Sequence, residues 1–506
     1  MGGVVGLFSR KKIIKEILDY YRKIWAIGHA LNLLHWDTET YMPEKGVVER
    51  SSAVAELSVL AQKLITDEKF VKLVEKAAEL KDLNDYEKGL IRVLERTIRV
   101  AKKLPPRHVH EFAKVTQEAV VVWRNAKKAN NYDLFKPYLK KIIELNREKA
   151  EYLGYKEHPY DALLDLYEEG MTTREVEEVF RVLEPGVKKI LERVLEEKTY
   201  PQTHPLEEVE YNIRAMKRVN ERVLRILGYP FNRARLDESA HPFTIHMGIF
   251  DVRITTRYEG KDFKRSLLGT VHEFGHALYQ LQIDKRFSMT PLTEITSLGL
   301  HESQSRFWEN IIGRSMGFVE TIYPILAKSL RFIKNYSPND IYLYFNTVKP
   351  SLIRTEADEV TYNLHIILRF KLEKLMITGE VKADELPELW NQEMERLLGI
   401  KPKTYSEGVL QDIHWSMGSI GYFPTYSLGT ILAAQIKYHA EKQLGNIDEI
   451  ARERRFKQVR EYLREKIHRW GSVYPPKELL QRSFGETINP EYFIKYLEEK
   501  YLQKQF

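Results

Sequence analysis

The chain has no cysteine in 506 residues. That excludes disulfides and thiolate ligands, so any metal chemistry must rest on histidine and carboxylate side chains. It also lacks an apolar stretch long enough to span a membrane, so no membrane partner is expected. No basic run with interleaved aromatics is present, and nucleic acid is not an expected partner either. Its 79 Lys and Arg stand against 72 Asp and Glu, and the net +7 is spread in mixed sign along helix faces, as in Lys189, Glu192, Arg193 and Glu196. Low-complexity linkers and short internal repeats are missing as well. The opening stretch, Met1 to Phe8, is too short for the apolar region of a signal peptide and soon meets Arg10-Lys11-Lys12, so a cytoplasmic location is expected. The absence of cysteine and the abundance of Lys and Glu suit a thermophile.

What is there is mostly amphipathic helix, punctuated by Pro and Gly. The spacing predicts helices over Lys11–Leu33, Arg50–Ile65, Tyr86–Lys103, His108–Ala129 and Leu134–Leu153. Others are predicted over Thr173–Glu197, with Pro185-Gly186 as a point where it could break, Leu206–Leu227 and Ser351–Met376. The length would allow two or three domains. The pattern reads instead as one mainly α catalytic unit over residues 1–506, open to division into two lobes around a groove. Helical periodicity fails between Pro242 and Tyr258, where Thr244–Met247 and Asp251–Arg257 read as two strands around Gly248-Ile249. Asp251, Arg253 and Thr255 share one face of the second strand. They could line a polar cleft, or Asp251 and Arg253 could simply pair at the surface. An extended substrate could also pair with an exposed strand edge.

The richest stretch is His272-Glu273-Phe274-Gly275-His276. Histidines four apart on a helix project from one face and can reach one metal ion, and the glutamate between them can act on a water held there. Leu267, Leu268, Val271, Phe274, Leu278 and Leu281 recur at helical spacing and would bury one side. Gly269, His272, His276 and Tyr279 fall on another stripe and need not serve the core. Gly275, costly in mid-helix, implies close packing against a second element. The alternative is a pair of ordinary surface histidines beside a solvated glutamate. A catalytic zinc takes three protein ligands and keeps a position open. Glu302, twenty-six residues after His276, is the candidate third, on a second helix predicted from about Thr293 to Gly313. Its other reading is a surface salt bridge to Arg306. The competing His301 points about 100° away, so only one of the two can face the metal.

Six motifs then coincide in order: His241-Pro242-Phe243, Asp251-Val252-Arg253-Ile254-Thr255, the His272–His276 motif, His301-Glu302-Ser303-Gln304, Ile353-Arg354-Thr355-Glu356-Ala357-Asp358, and Gly408-Val409-Leu410-Gln411-Asp412-Ile413-His414-Trp415. With Leu34-His35-Trp36-Asp37 near the start, the chain closely resembles the thermostable metallocarboxypeptidases of the carboxypeptidase Taq family over nearly its whole length. The resemblance implies a mostly helical fold with a long, deep groove similar to neurolysin and angiotensin-converting enzyme. It also implies removal of single C-terminal residues with broad preference, one zinc or cobalt ion per subunit, and a homodimer.

On that reading His272, His276 and Glu302 hold the metal, and Glu273 is general base and then general acid. An exopeptidase must also bind the free terminal carboxylate of its peptide, a task suited to arginine. Arg354 is the first candidate and Arg253 the second, although Arg354 could instead pair with Asp358 one helical turn on. His241, His414 and Tyr422 are candidate donors to the developing oxyanion. Phe243 and Trp415 are expected to pack the groove wall. An endo-acting oligopeptidase would share the metal chemistry and lack the carboxylate clamp. A non-catalytic peptide-binding scaffold would have no need of Glu273.

Overall fold

Amphipathic spacing becomes helix along most of the chain, and the computed structural model describes residues 7–8 and 11–503. Met1 to Gly6 and Arg10, from the stretch weighed above as a signal peptide, lie outside the described residues. Among the described residues, nine α-helices precede a small sheet: α1 (Lys12–Thr40), α2 (Val47–Ile65), α3 (Glu68–Ala78), α4 (Asp85–Lys103), α5 (Pro106–Ala129), α6 (Tyr132–Leu153), α7 (Pro159–Leu164), α8 (Thr173–Glu197) and α9 (Ile213–Leu227). The strands β1 (Ala234–Glu238), β2 (Thr244–Gly248) and β3 (Asp251–Thr256) follow, then α10 (Phe263–Gln282), α11 (Leu298–Arg306), α12 (Met316–Ser329) and α13 (Pro338–Phe345). The chain closes with α14 (Tyr362–Thr378), α15 (Leu386–Leu398), α16 (Pro424–Leu444), α17 (Ile447–Arg452), α18 (Phe456–Lys466), α19 (Pro476–Phe484) and α20 (Glu491–Tyr501). The class is mainly α with a small sheet beside α10, as expected, although the sheet has three strands rather than two.

Some helix starts follow side-chain caps. Asn84 with Glu87 and Thr172 with Glu175 close reciprocal capping boxes at α4 and α8, where the predicted starts lie within one residue. Pro185 does not break α8; α20 presses on it at Gly186, where a Cβ would stand 2.6 Å from Ile494 Cδ1. Two predictions need correction. The helix expected from Leu206 is a 3-10 turn at Pro205–Glu208, and α9 begins only at Ile213, where the Asn212 side chain accepts the Ala215 N–H. The helix expected from Ser351 begins at Tyr362. Upstream, the Asp358 carboxylate accepts the N–H groups of Val360 and Thr361, and Arg354–Glu356 forms a single 3-10 turn. A short acidic side chain that bonds nearby backbone competes with helix in this way.

The sheet order is β1-β3-β2, with β3 central, β1 parallel to it and β2 antiparallel. β1 was not anticipated, because a short strand read Ala-Arg-Leu-Asp-Glu carries little apolar alternation. Helix α10 lies on β3 and buries Leu267, Leu268, Val271, Phe274, Leu278 and Leu281, each worth roughly 1.5–3 kcal/mol against exposure. Tyr279, assigned to the histidine stripe, is also fully buried and stacks on His468 at 4.9 Å. The second helix is shorter than predicted. Ser297 caps α11, which widens after Arg306 into a π-helical turn, Phe307–Ile312. Gln280 reaches Thr293, Gly275 faces Gln304 and His272 meets Glu309, so α10 and α11 run antiparallel.

Candidate active site

Close approach of the two helices makes the site possible. A Cβ on Gly275 would stand 2.4 Å from the Gln304 carbonyl oxygen, so glycine lets backbone meet backbone. On the far side α16 presses equally close, since a Cβ on Gly429 would lie 2.6 Å from Glu302 Cβ. Glu302 is thereby held opposite the histidine pair. Its Oε2 lies 3.3 Å from His276 Nε2 and 3.7 Å from His272 Nε2, while its Oε1 accepts from Arg306 Nε at 2.7 Å. The metal-facing and Arg306-pairing arrangements thus coexist in one buried carboxylate, one oxygen each. Burial would raise its pKa, but Arg306 and the two histidines hold it well below the usual carboxylate range.

His272 Nδ1 donates to Glu309 at 2.8 Å, which leaves its Nε2 lone pair facing Glu302. Glu309 is in turn held by Arg306 at 3.3 Å and Arg314 at 3.1 Å. His276 has no such partner. Its buried Nδ1 makes no hydrogen bond among the described residues, and its ring is packed against the His301 ring stacked on it at 4.1 Å. Burial and the adjacent His276 keep His301 well below the ordinary histidine pKa, so the His301 ring is neutral. Glu273 is buried, and its Oε2 accepts from Thr244 Oγ1 at 2.6 Å.

These groups open on a groove of about 890 Å³, lined among others by Pro242, His272, Glu273, Glu302, Arg354 and Tyr426. Arg354 is buried in its wall. Its Nε and Nη2 donate to Asp412 Oδ1 at 2.9 and 2.8 Å, and its Nη1 donates to the Tyr362 hydroxyl at 3.0 Å.

Carboxypeptidase Taq (M32) metallopeptidase is the family model that this chain matches, over residues 16–501. The chain belongs to the carboxypeptidase Taq (M32) family. Its activity is accordingly that of a metal-dependent carboxypeptidase acting on peptides. Thermostable carboxypeptidase 1 of Pyrococcus furiosus is 58% identical over 494 residues, which cover 97% of this chain and 99% of that protein. Carboxypeptidase 1 of Bacillus subtilis is 37% identical over 490 residues, covering 96% and 97%. A solved Pyrococcus furiosus carboxypeptidase superposes with a TM-score of 0.97 at 57% identity, over 98% of this chain and 100% of that one.

The divalent metal of an M32 peptidase fits the donor set. His272, His276 and Glu302 each offer one ligand atom, all within 4.8 Å of one another, and they form the one such group among the described residues. Two imidazoles and a carboxylate on antiparallel helices leave the groove side open.

Other predicted residues of this M32 chain lie further off. Asp251 and Arg253 form a bidentate pair at 2.8–2.9 Å, and Arg253 stacks 4.1 Å over the Trp36 ring. Thr255 is buried against Ser239 Oγ at 2.6 Å, and none of these three lines the groove. The expected strand edge is partly taken: Asn32 and His29 of α1 each donate at 2.8 Å to the His246 and Met247 carbonyls of β2. His241 is exposed next to Pro242. His414 Nε2 sits 3.1 Å from the Tyr426 hydroxyl, and burial with nearby Arg354 pushes its pKa down to about 3. Burial and the Glu302 carboxylate push Tyr422 up to about 12, so its O–H persists. Trp415 is buried against Trp390 at 5.8 Å and donates to Glu373. The alternative weighed for Arg354, a bridge to Asp358, gives way to Arg354–Asp412, a pair that Arg369 completes from α14 at 2.6 Å.

Glu309, Thr244 and Arg369 escaped the sequence reading. For Glu309 a signal existed: Glu302, Arg306 and Glu309 stand at i, i+4 and i+7. Thr244 and Arg369 reach their partners only through tertiary folding.

Proposed function

We propose that His272, His276 and Glu302 hold one divalent ion, zinc or cobalt, and that this chain hydrolyses the C-terminal peptide bond with Glu273 moving the proton. An ion in that cage supplies Lewis acidity toward a carbonyl and makes water acidic near neutral pH. Glu273 takes a proton from the attacking water and returns it to the leaving amine nitrogen. Glu309 keeps His272 in the tautomer with a free Nε2. Tyr422 is the first candidate donor to the oxyanion, ahead of His414 and His241, because its hydroxyl stays protonated beside Glu302.

Arg354, rather than Arg253, takes the terminal carboxylate. A guanidinium has five N–H donors, of which Asp412 and Tyr362 occupy three. One N–H on each Nη remains, the geometry for a bidentate carboxylate. The observation that carries the reading is this half-committed arginine in the wall of the groove that holds the metal cage. Asp251 and Thr255 shape the strand behind Glu273 and do not touch the peptide. The resemblance further supports broad side-chain preference, thermostability, one catalytic unit over residues 1–506, a homodimer and a cytoplasmic location.

The test compares a free-ended peptide with its C-terminally amidated twin, with chelator and with added zinc or cobalt, on the wild type and on Arg354→Gln. Metal-dependent release of single residues from the free-ended peptide alone is expected. Arg354→Gln should raise KM for that peptide roughly 10- to 100-fold. An unchanged KM would remove Arg354 from this role.

A further inference from the structure

We propose that Thr244 is a positioning residue for catalysis: its hydroxyl fixes the Glu273 carboxylate in the orientation that proton transfer needs. The proposal rests on Glu273 being the general base. Thr244 opens strand β2, its Cα paired with Ile254 of the central strand, and its Oγ1 stands 2.6 Å from Glu273 Oε2 and 3.2 Å from the Glu273 carbonyl oxygen. A hydroxyl has one proton to give, and the shorter contact assigns it to the carboxylate. No other hydrogen bond reaches that carboxylate among the described residues. A buried glutamate otherwise has several rotamers open to it, so this bond selects one and leaves Oε1 for the water.

The strand that carries the hydroxyl is itself held on both sides. Its inner edge pairs with β3, and its outer edge accepts the side chains of Asn32 and His29 from α1. The hydroxyl therefore sits on a fixed backbone rather than on a loop. Proton transfer tolerates little misplacement, since an error of about 1 Å can cost on the order of 100-fold in rate.

The experiment measures kcat, KM, metal affinity and Tm for Thr244→Val, Thr244→Ser and Glu273→Gln. Valine keeps the shape and the strand preference but removes the donor; serine keeps the donor. The expected result is a fall in kcat of roughly 10- to 100-fold for Thr244→Val, with KM, metal affinity and Tm near wild type. Thr244→Ser should stay within about 3-fold of wild type. A wild-type kcat in Thr244→Val with Glu273→Gln inactive would overturn the positioning role alone. Equal losses in the valine and serine variants, or a parallel loss of metal affinity, would overturn it in favour of packing. An active Glu273→Gln would remove the base itself, and the positioning role with it.

Discussion

The two walls of the groove are held by different physics. On the metal side, α10 and α11 meet at Gly275 and α16 closes on Glu302 at Gly429, so the ligand atoms are placed by backbone contact. Around Arg354, which lines the groove, Asp412, His414 and Tyr422 stand in turns or at a helix margin, and buried charge holds the group. Asp412 bridges Arg354 and Arg369, while Glu373 accepts from Trp415 Nε1 at 2.9 Å, Gly421 N–H at 3.0 Å and Tyr160 O–H at 2.7 Å. Burial raises the Glu373 pKa to about 7 even so. Backbone packing gives a rigid cage, which suits a metal. An arginine tied by such an ion pair keeps N–H donors to spare, which suits a charged substrate end.

The largest effect should come from breaking the charged wall. Asp412→Ala leaves two buried guanidinium groups without their carboxylate and is expected to cost about 3–5 kcal/mol, read from denaturant midpoints. A loss below about 1 kcal/mol would mean that this wall is not held by charge. Breaking the metal wall should cost somewhat less stability but a different function. Gly275→Ala drives a methyl into the Gln304 carbonyl, expected to cost about 2–3 kcal/mol and to weaken metal affinity, with KM for peptide in the metal-loaded protein little changed. Titrating the metal into the stripped variant checks this.

How much of this contrast could be read in the residues follows the same division. His272 and His276 are four apart on one helix, and the glycine beside them announced a close neighbour, so the grouping of the two imidazoles with Glu302 was legible. The fold class and the β2–β3 pair were legible too, because their spacing is local. The cluster around Arg354 was not. Asp358 looked like the i+4 partner of Arg354, yet its carboxylate accepts the Val360 and Thr361 N–H groups just ahead of α14, and the true partner, Asp412, stands 58 residues on. Strand β1 is too short and too charged to show alternation. Thr244 reaches Glu273 across twenty-nine residues, with nothing in its neighbours to suggest it.

A smaller effect sharpens the comparison behind α11. Glu168 is buried and accepts the Gly299 N–H at 2.8 Å, near the start of the helix that carries Glu302. Burial, offset in part by Ser297 and the Gly299 N–H, pushes its pKa from 4.5 up to about 7. A carboxyl raised in the folded state contributes stability that is fully present below its unfolded value and is lost as pH rises through the folded value. The wild type should therefore lose about 2–3 kcal/mol between pH 5 and pH 8 relative to Glu168→Gln. Denaturant midpoints of both proteins at the two pH values check it, and parallel curves would refute it.

The most direct test of the whole site is Glu273→Gln, scored together for bound metal and for release of free amino acid. Gln keeps the shape and can still accept from Thr244, and His272, His276 and Glu302 are untouched. The site as assembled here predicts one metal per chain at wild-type affinity, with turnover reduced by roughly 100-fold or more. Near-normal turnover with metal bound would contradict the assignment of Glu273.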